Sequence, residues 1–303
     1  MIRLERGTRD PGPVGPDPAA LPRHPVTRFA PAPTGYLHLG HVVNAIYAWG
    51  IARSTGGRVL LRIEDHDRQR SHATFEAAIL DDLARLGLEP DAPLLRQSDD
   101  LAPYAAAVEI LRAQGRVHAC TCPRGDLMAW RGPGCPGACA ARRLPDDAPG
   151  AALRADLGRG VETTTDLLAG SISGDPSAAG DLTLRDRLGN WSYPLCVVVD
   201  DARQGVDLVI RGRDLLDATP IQLRLACLLG RTSPPSFLHH PLLRKPSGAK
   251  LSKADGDTGV RDLLAGGATP ADIFGFAAAA VGLLAEPRPL APRALPNLFS
   301  RAL

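Results

Sequence analysis

Between Val26 and Ile63 the apolar pattern switches from strand spacing to helix spacing and back, and this restricts the fold more than any other feature. Val26-Thr27-Arg28-Phe29-Ala30 reads as a short strand, and a loop from Pro31 to Gly40 follows it. Val42 to Trp49 then has helical apolar spacing. Val59-Leu60-Leu61-Arg62-Ile63 is a nearly continuous apolar run of the kind a parallel sheet buries on both faces. Amphipathic helices are predicted at Ala73–Leu86 and Leu101–Gln114. Strand, glycine turn, helix and strand make a βαβ unit, which brings ligands to the carboxyl ends of the strands. The expected fold is α/β, a doubly wound, Rossmann-like parallel sheet.

The pattern breaks into Cys, Gly and Pro over 116–144 and stays mixed and Gly-rich to 185. Strands are predicted again at Leu195–Val199 and Asp207–Ile210, then a helix at Leu215–Leu229. This implies a sheet split by an inserted module. Residues 1–27 form a Pro-rich flexible arm, 28–115 the first half of the nucleotide-binding unit and 116–185 the insert. Residues 186–246 are the second half, and 247–303 carry a lysine loop and a small helical C-terminal region, with helices at Val260–Ala265 and Pro270–Leu284.

The chain has three lysines, Lys245, Lys250 and Lys253, among 35 basic residues, so 32 are arginine. In such a chain Lys remains where a compact ammonium serves better than a planar fork, as on phosphate. The net charge of +2 is no whole-chain signature of nucleic-acid binding, so any such contact needs a local patch. No apolar run approaches the roughly 20 residues of a membrane span, and no signal pattern opens the chain. A cytoplasmic monomer without membrane partners is expected.

His38-Leu39-Gly40-His41 falls on the predicted strand-to-helix turn. Backbone N–H groups and the positive helix end favour a phosphate there, and two imidazoles add donors for developing charge. Taken alone, the pair also reads as two surface histidines beside a tight turn. Cys120, Cys122, Cys135 and Cys139 form C-x-C-x12-C-x3-C, four soft thiolates suited to tetrahedral Zn2+ in a closed, structural site. Cys196 and Cys227 sit in apolar segments and read as buried thiols. Asp200-Asp201 ends a predicted strand with no evident role beyond a turn, and Asp214 reads as a helix cap. His239 and His240 read as packing or RNA-side residues.

Arg28 to Gly35, His38 to His41, Leu61-Arg62-Ile63-Glu64-Asp65-His66-Asp67 and Lys250-Leu251-Ser252-Lys253 appear in the order found in class I glutamyl-tRNA synthetases. Over about 28–285 the chain resembles their catalytic domain. Leu251 stands where Met is commoner and Ala254 where a final Ser is usual. The resemblance implies activation of L-glutamate by ATP with Mg2+, through a glutamyl-adenylate, and transfer to a tRNA. It implies glutamate binding by Arg28, Phe29, Ala30, Pro31, Ala32, Glu64, Tyr193 and Arg211. His38, Gly40, His41 and Lys253 would bind ATP, with His38, His41, Lys250 and Lys253 serving the chemistry.

Only 50 residues follow Lys253, fewer than an anticodon-binding domain needs. With the cysteine cluster, this resembles the glutamyl-queuosine tRNA(Asp) synthetases, although Cys135 stands where those relatives often have Tyr. The expected acceptor is then queuosine in the anticodon loop of tRNA(Asp). Two alternatives stay open: a truncated glutamyl-tRNA synthetase charging a 3′ end, and an inactive RNA-binding paralogue.

Overall fold

The computed structural model describes residues 14–123, 135, 139–243 and 259–300. Strand β1 (Val26–Phe29), helix α1 (Leu39–Ser54) and strand β2 (Arg58–Ile63) form the expected βαβ unit, with β1 and β2 parallel. Helix α2 (Ala73–Arg85) leads to β3 (Leu95–Arg96), which extends that sheet, and to helix α3 (Ala102–Ala113). α1 is apolar on nearly every side because it is wedged between the sheet and the C-terminal helices.

The insert opens with β4 (Val117–Cys120), β5 (Ala152–Ala155), the hairpin β6 (Glu162–Asp166) and β7 (Gly170–Gly174), and β8 (Leu182–Arg185). β4, β5 and β8 make an antiparallel sheet of their own. The hairpin does not join it. β6 lies parallel to a later strand of the main sheet, so part of the insert belongs to the nucleotide-binding body.

Helix α4 (Tyr193–Arg203), strand β9 (Leu208–Gly212), helix α5 (Ala218–Leu228) and strand β10 (Ser236–His240) complete the second half. Strand order is β7-β6-β10-β9 in one sheet and β1-β2-β3 in the other. The two meet along β1 and β9, where Asp207 N–H donates to the Val26 carbonyl at 3.1 Å and Val26 N–H to Asp207 Oδ1 at 2.8 Å. The chain ends in α6 (Val260–Ala265), α7 (Pro270–Ala280) and a short 3-10 turn at Pro292–Leu298. α7 starts with a capping box between Thr269 and Asp272. Its Gly275 is required, because a Cβ there would lie 1.8 Å from the Arg288 carbonyl oxygen. No helix among the described residues is long and apolar enough to cross a membrane.

Four expectations need correction. The strand predicted at Leu195–Val199 is helix α4; a short apolar run buried all round has no period of its own, and Pro194 in the first turn was the better signal. The helix predicted from Leu215 begins at Ala218, so Asp214 lies in the preceding 3-10 turn and does not cap it. Cys196 is buried as expected, but Cys227 is exposed on α5. Residues 14–25, assigned to a flexible arm, lie against the body: Leu21 joins the main core and Tyr47 donates to the Val14 carbonyl.

Candidate active site

β1 delivers the chain to an extended residue, His38, which caps α1. His38 Nδ1 accepts the Gly40 N–H at 3.0 Å, and His41 Nδ1 accepts the His38 N–H at 3.1 Å. The rings lie 4.1 Å apart. With Nδ1 accepting in both, each neutral ring carries its proton on Nε2. Gly40 is dictated by this arrangement, since a Cβ would stand 2.8 Å from His38 Cε1.

The described residues on either side of 244–258 meet the same turn. His240, just before it, accepts from Asn44 Nδ2 at 3.1 Å and stacks on Tyr47 of α1. Gly259, just after it, forms an antiparallel bridge with His38, and Val260 N–H donates to the Leu37 carbonyl at 2.9 Å. Lys250 and Lys253 lie outside the described residues.

Next to the turn the structure gathers a buried charged pocket. Arg28 Nη1 and Asn44 Nδ2, one helical turn past His41, both donate to the Ile210 carbonyl, at 3.1 and 3.5 Å. Arg28 Nε pairs with Asp201 Oδ1 at 3.1 Å, and Arg62 Nη2 donates to that same oxygen. Arg62 Nη1 lies 3.8 Å from Asp200 Oδ2, which also accepts from Tyr104 OH at 2.8 Å and Gln97 Nε2 at 2.9 Å. Burial works against the Arg28 charge, but Asp201, Tyr193 and Glu64 outweigh it and hold its pKa above the ordinary value.

Glu64, at the end of β2, donates its N–H to the Pro31 carbonyl, but its buried Oε1 has no hydrogen-bond partner. Burial pushes this carboxyl above its usual range, against the pull of Arg62 and Arg28. The Tyr193 phenol is also raised by burial and then by Glu64.

Arg211, on β9, donates from Nε to His239 Nε2 at 2.9 Å, from Nη1 to Gln222 Oε1 at 2.6 Å and from Nη2 to Thr219 Oγ1 at 2.8 Å. All three acceptors are neutral. Phe29 packs on Trp49 in the core with ring centroids 5.4 Å apart, so its side chain is structural. The stretch Ala30-Pro31-Ala32 continues from it as backbone turning past Glu64.

Cys120, Cys122, Cys135 and Cys139 converge with every sulfur within 4.8 Å of the others. Cys122 Sγ lies 3.8 Å from Cys135 Sγ and 3.2 Å from Cys139 Sγ. Four soft donors in this arrangement can hold one metal ion. His118, Cys135 and Asp181 form a second possible group, which shares Cys135 with the first and offers only one thiolate among its three donors.

Sequence reasoning missed Arg62, Asp200, Asp201, Asp166, Gln222 and Thr219. The doubled acid after an apolar run was a signal, because two buried carboxylates need cationic partners.

Residues 25–271 match the family of class I tRNA synthetases (E and Q), catalytic domain. The chain is 44% identical over 274 residues to the glutamyl-Q tRNA(Asp) synthetase of Rhodobacter capsulatus, covering 82% of this chain and 98% of that protein. It is 40% identical over 301 residues to the glutamyl-Q tRNA(Asp) synthetase of Symbiobacterium thermophilum, covering 91% of this chain and 92% of that protein. The glutamate-tRNA synthetase of Elizabethkingia anophelis shares the fold, with a TM-score of 0.75 at 24% identity. That match covers 92% of this chain and 66% of the longer one. The α/β body and its split sheet are therefore those of a class I synthetase, and the chain belongs to the class I tRNA synthetases (E and Q), a family of ligases, among the glutamyl-Q tRNA(Asp) synthetases.

Proposed function

We propose that this protein activates L-glutamate with ATP and transfers the glutamyl group to queuosine in the anticodon loop of tRNA(Asp). The glutamate α-carboxylate attacks the α-phosphorus of ATP and pyrophosphate leaves. A hydroxyl of the queuosine cyclopentene ring then attacks the acyl carbon and AMP leaves. The observation that carries the reading is the Ile210 carbonyl, on which the histidine-capped helix and the charged pocket meet.

Each group suits its part. The α1 N-terminus and the Nε2 protons of His38 and His41 face charge on the phosphates. Gly40 allows close approach, Lys250 and Lys253 add ammonium charge, and Mg2+ accompanies ATP. Glu64, with an unpartnered oxygen, takes the substrate ammonium. Arg28, Arg211 and Tyr193 take its carboxylates, beside the backbone of Phe29, Ala30, Pro31 and Ala32. A cytoplasmic setting fits ATP and tRNA as partners.

Transfer of labelled glutamate to queuosine-containing tRNA(Asp), followed by nuclease digestion, tests the reading. Label is expected on the modified wobble nucleoside as a base-labile ester. Label on the terminal adenosine would mean 3′-end charging, and the queuosine reading would be wrong.

Zn2+ in the four-cysteine site would be structural, because four protein donors leave no open position. Elemental analysis is expected to find zinc in the purified protein and its loss in Cys139→Ser, with a lower melting temperature. A zinc-free preparation of full thermal stability would rule this out.

A further inference from the structure

Asp166, His239 and Arg211 form a buried hydrogen-bonded line that ends in the charged pocket. Asp166 closes β6, the strand that the insert lends to the main sheet. Its Oδ1 accepts the N–H groups of Leu168 at 2.9 Å, Ala169 at 2.6 Å and His239 at 3.3 Å. Its Oδ2 lies 2.7 Å from His239 Nδ1. Burial alone would raise this carboxyl, but the hydrogen bonds from His239, Ala169 and Leu168 hold it below the usual carboxylate range. The ionised Asp166 therefore accepts, and the His239 proton sits on Nδ1.

That leaves His239 Nε2 as an acceptor, and Arg211 Nε–H fills it at 2.9 Å. Arg211 and His239 are cross-strand partners in the β9–β10 ladder, so their side chains share a face. Burial pulls the imidazole below its ordinary pKa, in keeping with a neutral ring. The contrast with Arg28 is chemical: Arg28 already has Asp201, whereas Arg211 has no carboxylate at ion-pair distance among the described residues. A buried guanidinium held only by neutral acceptors keeps its full demand for an anion.

We propose that Asp166 and His239 are positioning residues that fix the imidazole tautomer, hold Arg211 as an unneutralised fork and so make the pocket select a side-chain carboxylate over an amide. This rests on the glutamate-activating function proposed above: the α-carboxylate must face ATP, which leaves the side-chain carboxylate for Arg211. It adds to that reading a specificity element reaching in from the insert.

Asp166→Asn is the discriminating variant. Its Oδ1 can still serve the backbone N–H groups, but the Nδ2 amide then donates to His239 Nδ1. The ring proton moves to Nε2, where it opposes the Arg211 N–H. In glutamate-dependent ATP–pyrophosphate exchange the KM for glutamate is expected to rise roughly 30-fold, with kcat changed less than about threefold. The preference for glutamate over glutamine should fall about tenfold. His239→Leu should behave likewise, whereas His239→Gln, which keeps an acceptor near the Nε2 position, should stay within about fivefold of wild type.

Wild-type KM and wild-type preference in a folded Asp166→Asn protein would overturn the proposal, as would a loss of kcat and thermal stability with KM unmoved. Nitrogen-15 spectra of histidine-labelled wild-type protein give a reading that needs no variant to fold: Nδ1–H at His239 supports the proposal and Nε2–H overturns it. If the wild type shows no glutamate-dependent exchange, the activity reading fails instead, and the spectra still test the geometry.

Discussion

Asp201→Asn is expected to destabilise the protein by about 3–5 kcal/mol, the usual cost of removing one partner of a buried ion pair. Asp201 Oδ1 serves two guanidiniums whose side chains are only 5% (Arg28) and 0% (Arg62) exposed. Asparagine retains one acceptor oxygen but no charge. Arg62 Nε and Nη1 already lack hydrogen bonds, and Asp200, 3.8 Å from Nη1, would be left as the carboxylate facing Arg62. The paired control is Asp67→Asn, whose partner Arg70 is 74% exposed; an exposed pair contributes at most about 1 kcal/mol. Urea unfolding midpoints of the two variants give the comparison. Equal midpoints would show that the buried network is not held together by charge.

His38→Asn should reduce glutamate-dependent exchange about 100- to 1,000-fold while leaving stability within about 0.5 kcal/mol. His38 has two separable tasks. Its Nδ1 caps α1 through the Gly40 N–H, a task asparagine performs at least as well. The second, under the proposed function, is to offer the Nε2 proton to phosphate charge, which asparagine cannot reproduce from a shorter side chain. His38→Ala loses both and should cost about 1 kcal/mol of stability besides. Pyrophosphate exchange and thermal melting separate the tasks. An asparagine variant that exchanges at the wild-type rate would remove the imidazole from the chemistry.

The parts legible in the sequence are those whose partners are neighbours along the chain. The His38–His41 turn closes its hydrogen bonds within three residues. The four cysteines announce themselves by spacing, and the βαβ unit by its change of period. The pocket behind them was not legible, because its pairs span the chain: Arg28 and Asp201 are 173 residues apart, and Asp166 and His239 are 73 apart. Asp200 and Asp201 were misplaced for a further reason. Once Leu195–Val199 is taken as a strand, the doubled acid falls at its end and looks solvated. On helix α4 both acids are buried against β2, β1 and α3. The lone apolar run had no period to decide between the two. Cys227 shows the converse error, an apolar neighbourhood in sequence on the exposed side of α5.

The hairpin that leaves the insert to lie along β10 sets a rule for anyone building hybrids from this protein. A cassette cut where composition changes, at 116 and 185, would carry off two strands of the β7-β6-β10-β9 sheet and, with them, Asp166. Seams that respect the architecture fall in the connections at 156–161 and 175–181, which separate the antiparallel sheet from the borrowed hairpin. A graft joined there as well as at 116 and 185 exchanges the cysteine-bearing lobe and leaves the neighbour of His239 in place.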